Sequence, residues 1–331
     1  MTKTSKVSII SGGAGFIGVN LAKKLLDLGH AVVIGDNFSL GSKKNIEQWI
    51  SPNFDDFLEI DASSSAGAMS LFEFCLKRHG CIDEVWHLAA NSDIPAGVDD
   101  PCVDLKDTFM TTFWLLEACQ KFGVKKFNFA SSSAVYGDWG EFPLAENLGP
   151  LAPISNYGAM KLASEAQICA ARESFLDLAT IFRFPNVVGV PATHGVIYDF
   201  VNKLKKTPIH LQVLGNGNQQ KSYLHVSELI DAMLYVSRHK NVKLSSRPTI
   251  INIGNDDEGV TVRELAQSVT KRCSPQADIS YGDESSGWVG DVPRFRYDTS
   301  RLASLGWTPS MSSKEAVTRA IDEISTELLE N

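Results

Sequence analysis

The chain has 331 residues, 44% of them hydrophobic and 21% charged, which is typical of a globular protein of about two domains. These values exclude a disordered, collagenous or fibrous chain, and the net charge of −8 argues against nucleic acid or an anionic membrane as a partner. The six cysteines form no C-x-x-C pair, and the sequence contains no apolar run of the ~20 residues that a membrane span needs and no secretion signal. We therefore expect a cytoplasmic protein with reduced thiols.

Short apolar runs alternate with segments of helical periodicity through the first half of the chain. The predicted strands cover residues 7–11, 31–36, 57–61, 84–89, 126–131 and 178–184. The predicted helices cover residues 16–28, 66–78, 103–122 and 155–174. This alternation predicts an α/β protein with a Rossmann-type, doubly wound parallel sheet covered by helices on both faces.

The pattern is less regular after residue 184. We predict helices over residues 196–205, 227–237, 262–271 and 314–329, and strands over 211–214 and 249–253. The predicted domains are a dinucleotide-binding domain over residues 1–184 and a smaller, discontinuous substrate-binding lobe mainly over 185–331. Some segments of this lobe are expected to return to the main sheet.

A glycine-rich segment, GGAGFIG over residues 12–18, follows the first predicted strand and opens the first predicted helix. Glycines permit a tight turn and let the backbone approach a pyrophosphate, which the positive end of the helix attracts. Asp36 ends the second strand, where a carboxylate binds the ribose of NAD and repels the 2′-phosphate of NADP. Asp61 ends the third strand and is predicted either to bind the adenine amino group or to cap a helix. The segment and Asp36 together predict NAD as the cofactor.

A second signal is the pair Tyr157 and Lys161, which lie four residues apart on one predicted helix and so share a face. A free tyrosine loses its proton near pH 10. A neighbouring ammonium favours the phenolate, which can remove a hydroxyl proton while a hydride leaves the same carbon. The pair therefore predicts the oxidation of an alcohol.

Further motifs follow one another along the chain: HLAAN (87–91), SSSAVYG (131–137), YGAMK (157–161), RFPNVVG (183–189), KSYLHV (221–226) and GDVP (290–293). With these motifs, the chain resembles extended short-chain dehydrogenases/reductases, in the branch of NAD-dependent nucleotide-sugar epimerases and dehydratases. The resemblance covers about residues 7–310. It implies a nucleotide-diphosphate sugar as substrate, with UDP as the default nucleotide. It also implies a homodimer built from the helices over 103–122 and 155–174.

The resemblance also implies roles for individual residues, and it includes no metal ion. The catalytic residues would be Ser132, Tyr157 and Lys161. The cofactor-binding residues would be Gly12, Gly13, Gly15, Phe16, Ile17, Gly18, Asp36, Asn37, Asp61, Ala62, Leu88, Ala89, Ala90, Tyr157 and Lys161. The substrate-binding residues would be Ser92, Ser132, Ser133, Asn186, Gln212, Lys221 and Asp291.

Two positions bear on the reaction. Family dehydratases usually carry an Asp-Glu pair just before VYG and uronate decarboxylases a Glu, whereas Ser133 and Ala134 stand here. The resemblance therefore favours inversion at C4 through a transient 4-keto sugar. The alternatives are an NAD(H)-dependent nucleotide-sugar oxidoreductase or dehydratase, a C2-epimerase and, outside enzymes, an NAD-sensing protein.

Three residues depart from the family's usual pattern. Thr108 and Thr111 replace the Asn and Gly of the N-x-x-G-T segment, and Trp288 stands where an Arg often binds the diphosphate. These departures leave the nucleotide of the substrate open.

Overall fold

The structure is a computed structural model that describes residues 6–284, 292 and 294–329. Its strands are β1 (Val7–Ser11), β2 (Ala31–Asp36), β3 (Phe57–Glu59), β4 (Glu84–His87), β5 (Lys126–Ala130), β6 (Pro143–Leu144), β7 (Leu178–Arg183), β8 (Asn186–Val188), β9 (His210–Val213), β10 (Gln220–Lys221), β11 (Tyr223–His225), β12 (Thr249–Asn252), β13 (Val260–Thr261), β14 (Asp278–Tyr281) and β15 (Arg296–Tyr297). Its α-helices are α1 (Phe16–Asp27), α2 (Lys43–Trp49), α3 (Ser65–His79), α4 (Ile94–Asp99), α5 (Pro101–Asp104), α6 (Thr111–Phe122), α7 (Asn156–Ser174), α8 (Val196–Lys206), α9 (Val226–Arg238), α10 (Lys240–Lys243), α11 (Val262–Cys273), α12 (Ser300–Ser304) and α13 (Ser313–Leu329).

A seven-stranded sheet in the order β12-β7-β5-β4-β1-β2-β3 confirms the predicted Rossmann-type fold. All five residues of β1 are buried, as expected for a strand covered on both faces. Ile9 of β1 pairs in parallel with Val33 of β2 on one side and with Val85 of β4 on the other. The strand order reverses at β1, so the carboxyl ends of β1 and β4 flank the crevice where such sheets bind ligands.

The chain divides into two compact units. The first consists of Met1–Val135, Ser155–Arg183 and Met233–Ile251, and the second of Tyr136–Ile154, Phe184–Ala232 and Asn252–Asn331. The second unit has its own apolar core, to which α8, α11 and α13 contribute Phe200, Leu265 and Val317. The domain boundary at residue 184 stays a prediction.

The helix predicted over residues 103–122 is confirmed, but it contains a segment that the prediction lacks. The structure has α5, then a π-helical segment (Leu105–Met110), and then α6, with no break in the helix. The Thr111 hydroxyl donates to the carbonyl oxygens of Asp107 (3.1 Å) and Thr108 (3.0 Å), inside the hydrogen-bond ladder of the helix. Apolar periodicity does not reveal such an insertion, and π-helical turns are frequent at functional sites.

Elsewhere the predicted elements differ from the observed ones mainly at their ends. Helix α7 begins one residue later than predicted because Ser155 is its N-cap, and the Ser155 hydroxyl accepts a hydrogen bond from the Gly158 N–H at 3.1 Å.

None of the helices in the described part of the chain combines the length and apolar character needed to cross a membrane.

Candidate active site

The glycine segment forms the turn between β1 and α1. Gly12 has a positive φ of +76°, and a Cβ at this position would lie 2.6 Å from the Ala89 nitrogen at the end of β4. A Cβ on Gly18 would overlap the Gly12 carbonyl oxygen, so α1 can approach the turn only with glycine there. A Cβ on Gly15 would lie 3.5 Å from the Gly12 carbonyl oxygen, which is an ordinary van der Waals distance, so crowding within the protein does not require this glycine. The absence of a side chain at Gly15 instead leaves room for a ligand to approach the backbone.

The N-terminus of α1 fits the pyrophosphate of a dinucleotide. Gly15 is its N-cap and supplies no capping side chain, and the first turn of this fully described helix has no acidic residue. The first N–H groups of a helix lack partners within the helix and carry partial positive charge. They are therefore suited to binding an anion.

Asp36 lies at the end of β2, where the predicted ribose carboxylate should be, and its exposed fraction is only 8%. Its Oδ2 accepts a hydrogen bond from the Ala14 N–H (2.9 Å), and its Oδ1 accepts one from the Phe38 N–H (2.8 Å). Burial raises the pKa of Asp36, and these two N–H groups oppose the rise. The contacts hold the carboxylate beside the glycine turn, and each oxygen retains acceptor capacity for a ribose hydroxyl. The adjacent Asn37 is exposed.

We expect Asp36→Ala to weaken NAD binding by roughly 10- to 100-fold, because a hydrogen bond to a charged group contributes about 1.5–3 kcal/mol. The preference for NAD over NADP should fall as well, since the charge that repels a 2′-phosphate is gone. Calorimetric titration of both cofactors tests this. Asp27→Ala, which removes an exposed carboxylate at the far end of α1, is the matched control. An unchanged ratio of NAD to NADP affinity would argue against the ribose contact.

Asp61 forms a turn after β3, and its carboxylate already has partners. Its Oδ1 accepts hydrogen bonds from the Ser63 N–H (2.9 Å) and hydroxyl (2.6 Å), and its Oδ2 pairs with Lys106 Nζ at 3.1 Å. The N-cap of α3 is Ser64 and not Asp61. The adenine contact of Asp61 and of its buried neighbour Ala62 therefore stays a proposal.

The three predicted catalytic residues lie together in the first unit. The Ser132 hydroxyl lies close enough to the Tyr157 phenol to lower its pKa. Lys161, one helical turn after Tyr157 and 2% exposed, donates from Nζ to the Ala130 carbonyl oxygen at 2.7 Å. Its Nζ lies 5.7 Å from the centroid of the Tyr157 ring and 4.7 Å from that of Phe129. The ends of β5 and α7 thus bring together a hydroxyl, a phenol and an amine.

Burial dominates the electrostatics of this group. It raises the pKa of the Tyr157 phenol to about 12, against the effect of the nearby Ser132 hydroxyl, and the charge of Asp104 adds to the rise. Burial also lowers the pKa of Lys161 to about 7, against the attraction of Glu165 and Asp104. Any change that removes the ammonium at neutral pH therefore makes the phenolate still harder to form.

A buried ion pair that the sequence analysis did not identify supports α7, the helix of the predicted catalytic residues Tyr157 and Lys161. Glu165 accepts hydrogen bonds from Arg183 Nε (2.9 Å) and Nη2 (2.6 Å), and from the Ser131 hydroxyl (2.5 Å). All three residues are buried. Glu165 follows Lys161 by one helical turn, which is the signal that could have indicated it. The contacts connect α7 to the ends of β5 and β7.

A second polar cluster surrounds Asn91 of the HLAAN motif. The Asn91 N–H donates to the Thr108 hydroxyl oxygen at 3.1 Å, and its Nδ2 donates to Asp104 Oδ1 at 3.0 Å. Thr108, which departs from the family's Asn, is therefore a buried acceptor in this chain. The predicted substrate residue Ser92 follows Asn91 and is exposed.

The remaining predicted cofactor residues line the ends of β1 and β4. The N–H groups of Leu88 and Ala89 both donate to the Ser11 carbonyl oxygen at 2.9 Å, which brings this segment against the glycine turn. Leu88, Ala89 and Ala90 are half-buried, as are Phe16 and Ile17 in the first turn of α1.

The predicted substrate residues are divided between the two units. Ser133 is half-buried in the first unit. In the second unit, Asn186 is exposed on β8, Gln212 is exposed on β9, and Lys221 is half-buried on β10. Asp291 and Trp288 lie outside the described residues. Within the described ranges, no three His, Cys, Asp or Glu side chains are arranged to bind a metal ion.

A model of the NAD dependent epimerase/dehydratase family matches residues 8–254. A putative UDP-glucose 4-epimerase of Methanocaldococcus jannaschii is 28% identical and covers 95% of this chain and 97% of its own length. UDP-glucuronic acid decarboxylase 1 of Danio rerio is also 28% identical, over 98% of this chain and 74% of its own. A crystal structure of a UDP-galactose 4-epimerase has a TM-score of 0.84 and 33% identity, and covers 97% of this chain and 99% of that one.

Proposed function

We propose that this chain, which belongs to the NAD dependent epimerase/dehydratase family and therefore uses NAD, inverts C4 of a nucleotide-diphosphate sugar. Ser132, Tyr157 and Lys161 provide the groups needed to oxidise an alcohol and to reduce the resulting ketone. The observation that carries the proposal is this site with Ser133 and Ala134 at the two positions where the family's dehydratases and decarboxylases carry carboxylates. UDP is the default nucleotide, since the two relatives and the solved structure described above are named for UDP-sugars.

Bound NAD supplies the acceptor of a hydride from the sugar carbon and the donor of its return. The glycine segment and Asp36 would hold it at the ends of β1 and β2. Tyr157 removes the proton of the sugar 4-hydroxyl, and the Ser132 hydroxyl holds the same oxygen. The Lys161 ammonium stabilises the Tyr157 phenolate that accepts this proton.

The reverse steps complete the inversion. The 4-keto sugar turns its opposite face to the site, and Tyr157 returns its proton to the same oxygen as C4 is reduced. The phenolate is regenerated in each turnover, so the protein needs no external proton donor. The total of electrons and protons is unchanged, and no reduced cofactor accumulates.

Uronate decarboxylation is the second candidate, because a UDP-glucuronic acid decarboxylase matches nearly the whole chain. It would begin with the same proton removal by Tyr157. It differs in losing the C5 carboxyl group as carbon dioxide. UDP-glucuronic acid therefore separates the two candidates, since only a decarboxylase would convert it to a UDP-pentose.

A homodimer is also part of the proposal. Its interface would use α5, α6 and α7 together with the π-helical segment, in which the side chain of Leu105 is 48% exposed. Light scattering during gel filtration tests it, and a monomeric mass would contradict it.

The direct test is incubation of the full-length protein with UDP-, GDP-, CDP- and dTDP-sugars, including UDP-glucuronic acid, with the products resolved by NMR. We expect a mixture of the two C4 epimers of one nucleotide sugar, with no lasting absorbance change at the nicotinamide band. A pentose product, a 6-deoxy-4-keto product or stoichiometric NADH would contradict the 4-epimerase proposal.

A further inference from the structure

Asp104, at the end of α5, is a buried carboxyl group to which the proposed reaction assigns no role. Its exposed fraction is 0%, and its Oδ1 accepts the hydrogen bond from Asn91 Nδ2 at 3.0 Å. Its Oδ2 has no hydrogen-bond partner in the described part of the chain. Burial raises the pKa of Asp104, and the nearby Asn91 amide, Thr108 hydroxyl and Lys161 amine oppose the rise. A buried carboxylate left partly unsatisfied is costly, so its presence requires a compensating interaction.

Gly97 of α4 leaves the space that Asp104 occupies. A Cβ on Gly97 would overlap the Asp104 carboxyl group, and the three nearest heavy atoms to it all belong to that group. The Gly97 carbonyl oxygen accepts a hydrogen bond from Asn156 Nδ2 at 2.8 Å, and Asn156 precedes Tyr157 in α7. Asp104 is therefore held against the segment that packs on the start of the catalytic helix.

The charges around Lys161 indicate what compensates Asp104. The titratable groups that interact with Lys161 are Glu165 on its own helix, Asp104 on α5 and His87 on β4, and the Tyr157 ring lies beside its amine. The charge of Glu165 is balanced by Arg183, and burial lowers the pKa of His87 far below its usual value, so its ring is neutral.

Asp104 has no such guanidinium partner among its charged neighbours. Of the charged groups that shift the pKa of Asp104, Asp107 repels it and Lys161 is the cation that attracts it. Pairing Glu165 with Arg183 and Asp104 with Lys161 therefore leaves each of these buried charges balanced.

We infer that Asp104 is a positioning residue, the buried counter-charge that keeps Lys161 an ammonium beside Tyr157. The inference rests on the proposed function for its catalytic meaning. Asp104 acts on the amine of Lys161 and touches neither the sugar nor the reacting oxygen in the proposed mechanism. Its charge also raises the pKa of Tyr157, so the Lys161 ammonium has to offset that effect as well. The Asp104 charge opposes the lowering of the Lys161 pKa by burial. Without this charge, Lys161 would lose its proton at a lower pH.

The test is an NMR titration of the full-length protein, as purified, labelled with 13C at lysine Cε. The Lys161 resonance, assigned with a Lys161→Arg variant, should titrate near neutral pH. In Asp104→Asn, which keeps the size of the side chain and removes its charge, the midpoint should fall by about one pH unit or more. Asp99→Asn is the matched control, because it removes an exposed carboxylate at the end of α4 that is not among the charged groups acting on Asp104 or Lys161, and its loss should leave the midpoint unchanged.

Gly97→Ala provides a second variant that keeps the charge and displaces the carboxylate, so a fall of the midpoint in the same direction is expected. A midpoint that stays at the wild-type value in Asp104→Asn would overturn the inference. If Asp104→Asn does not fold, an unchanged midpoint in Gly97→Ala would overturn it instead. The pH at which kcat declines on the alkaline side of its pH profile should fall together with the NMR midpoint.

The NMR readout needs no substrate, which separates the two claims. A lowered midpoint in a protein that epimerises no nucleotide sugar would support the role of Asp104 and contradict the proposed function. An unmoved midpoint in an active epimerase would contradict the role of Asp104 alone.

Discussion

Replacing Tyr157 with Phe should reduce kcat by a factor on the order of 10² to 10⁴, the range that general acid–base catalysis contributes. The change removes the oxygen that takes the proton from the sugar hydroxyl and returns it. NAD should remain bound, because the glycine turn and Asp36 lie on other elements and are unchanged. Turnover measured by NMR, with the bound NAD released and quantified, tests both parts of the expectation.

Tyr235→Phe is the matched control for this experiment, since Tyr235 is an exposed tyrosine on α9 of the same unit. It should show wild-type kcat. Near-normal turnover of Tyr157→Phe on the true substrate would mean that another group handles the proton, and the acid/base assignment would be wrong.

The second large effect is on stability. Arg183→Leu leaves Glu165 buried without its guanidinium partner, with only the Ser131 hydroxyl among its described hydrogen bonds. Removing one member of a buried ion pair typically destabilises a protein by about 3–5 kcal/mol. We expect the free energy of unfolding, measured by urea denaturation of the NAD-free protein, to fall by an amount in that range.

The double variant Arg183→Leu with Glu165→Leu separates loss of the pair from loss of a single side chain. It should be more stable than Arg183→Leu alone, because no unpaired charge remains buried. Equal stability of the single and double variants would show that Glu165 is not left as an unpaired charge, which would contradict the electrostatic explanation.

The sheet and the motifs at its edge were predictable because their signals are local. The strand over residues 31–36 was predicted with the observed bounds, since it is an apolar run bounded by Gly29 and an aspartate. Gly12 and Gly18 were identifiable from their spacing alone, and the structure supplies the physical reason, a positive φ at one and a close backbone contact at the other. Likewise, the four-residue interval of Tyr157 and Lys161 predicted that both would share one face of α7.

The environment of Lys161 was not predictable in the same way. The folded connection between β4 and α6 brings together Asp104, Asn91 and Gly97, and the spacing of these residues in the sequence does not predict their contact. The π-helical segment was not predictable either, because its one extra residue changes the hydrogen bonds and barely changes the apolar periodicity of the helix. The second unit was harder still, since its strands β8, β10, β13 and β15 have only two or three residues each.

The most direct test of the account follows a hydrogen atom. UDP-glucose labelled with deuterium at C4, or the corresponding form of whichever nucleotide sugar proves active, is incubated with the protein in ordinary water. The account predicts that the C4 epimer forms with its deuterium retained at C4 and without net reduction of NAD, because the same hydride leaves and returns while Tyr157 exchanges only the oxygen-bound proton. An epimer that has lost its C4 deuterium to water, or a product formed together with stoichiometric NADH, would contradict it.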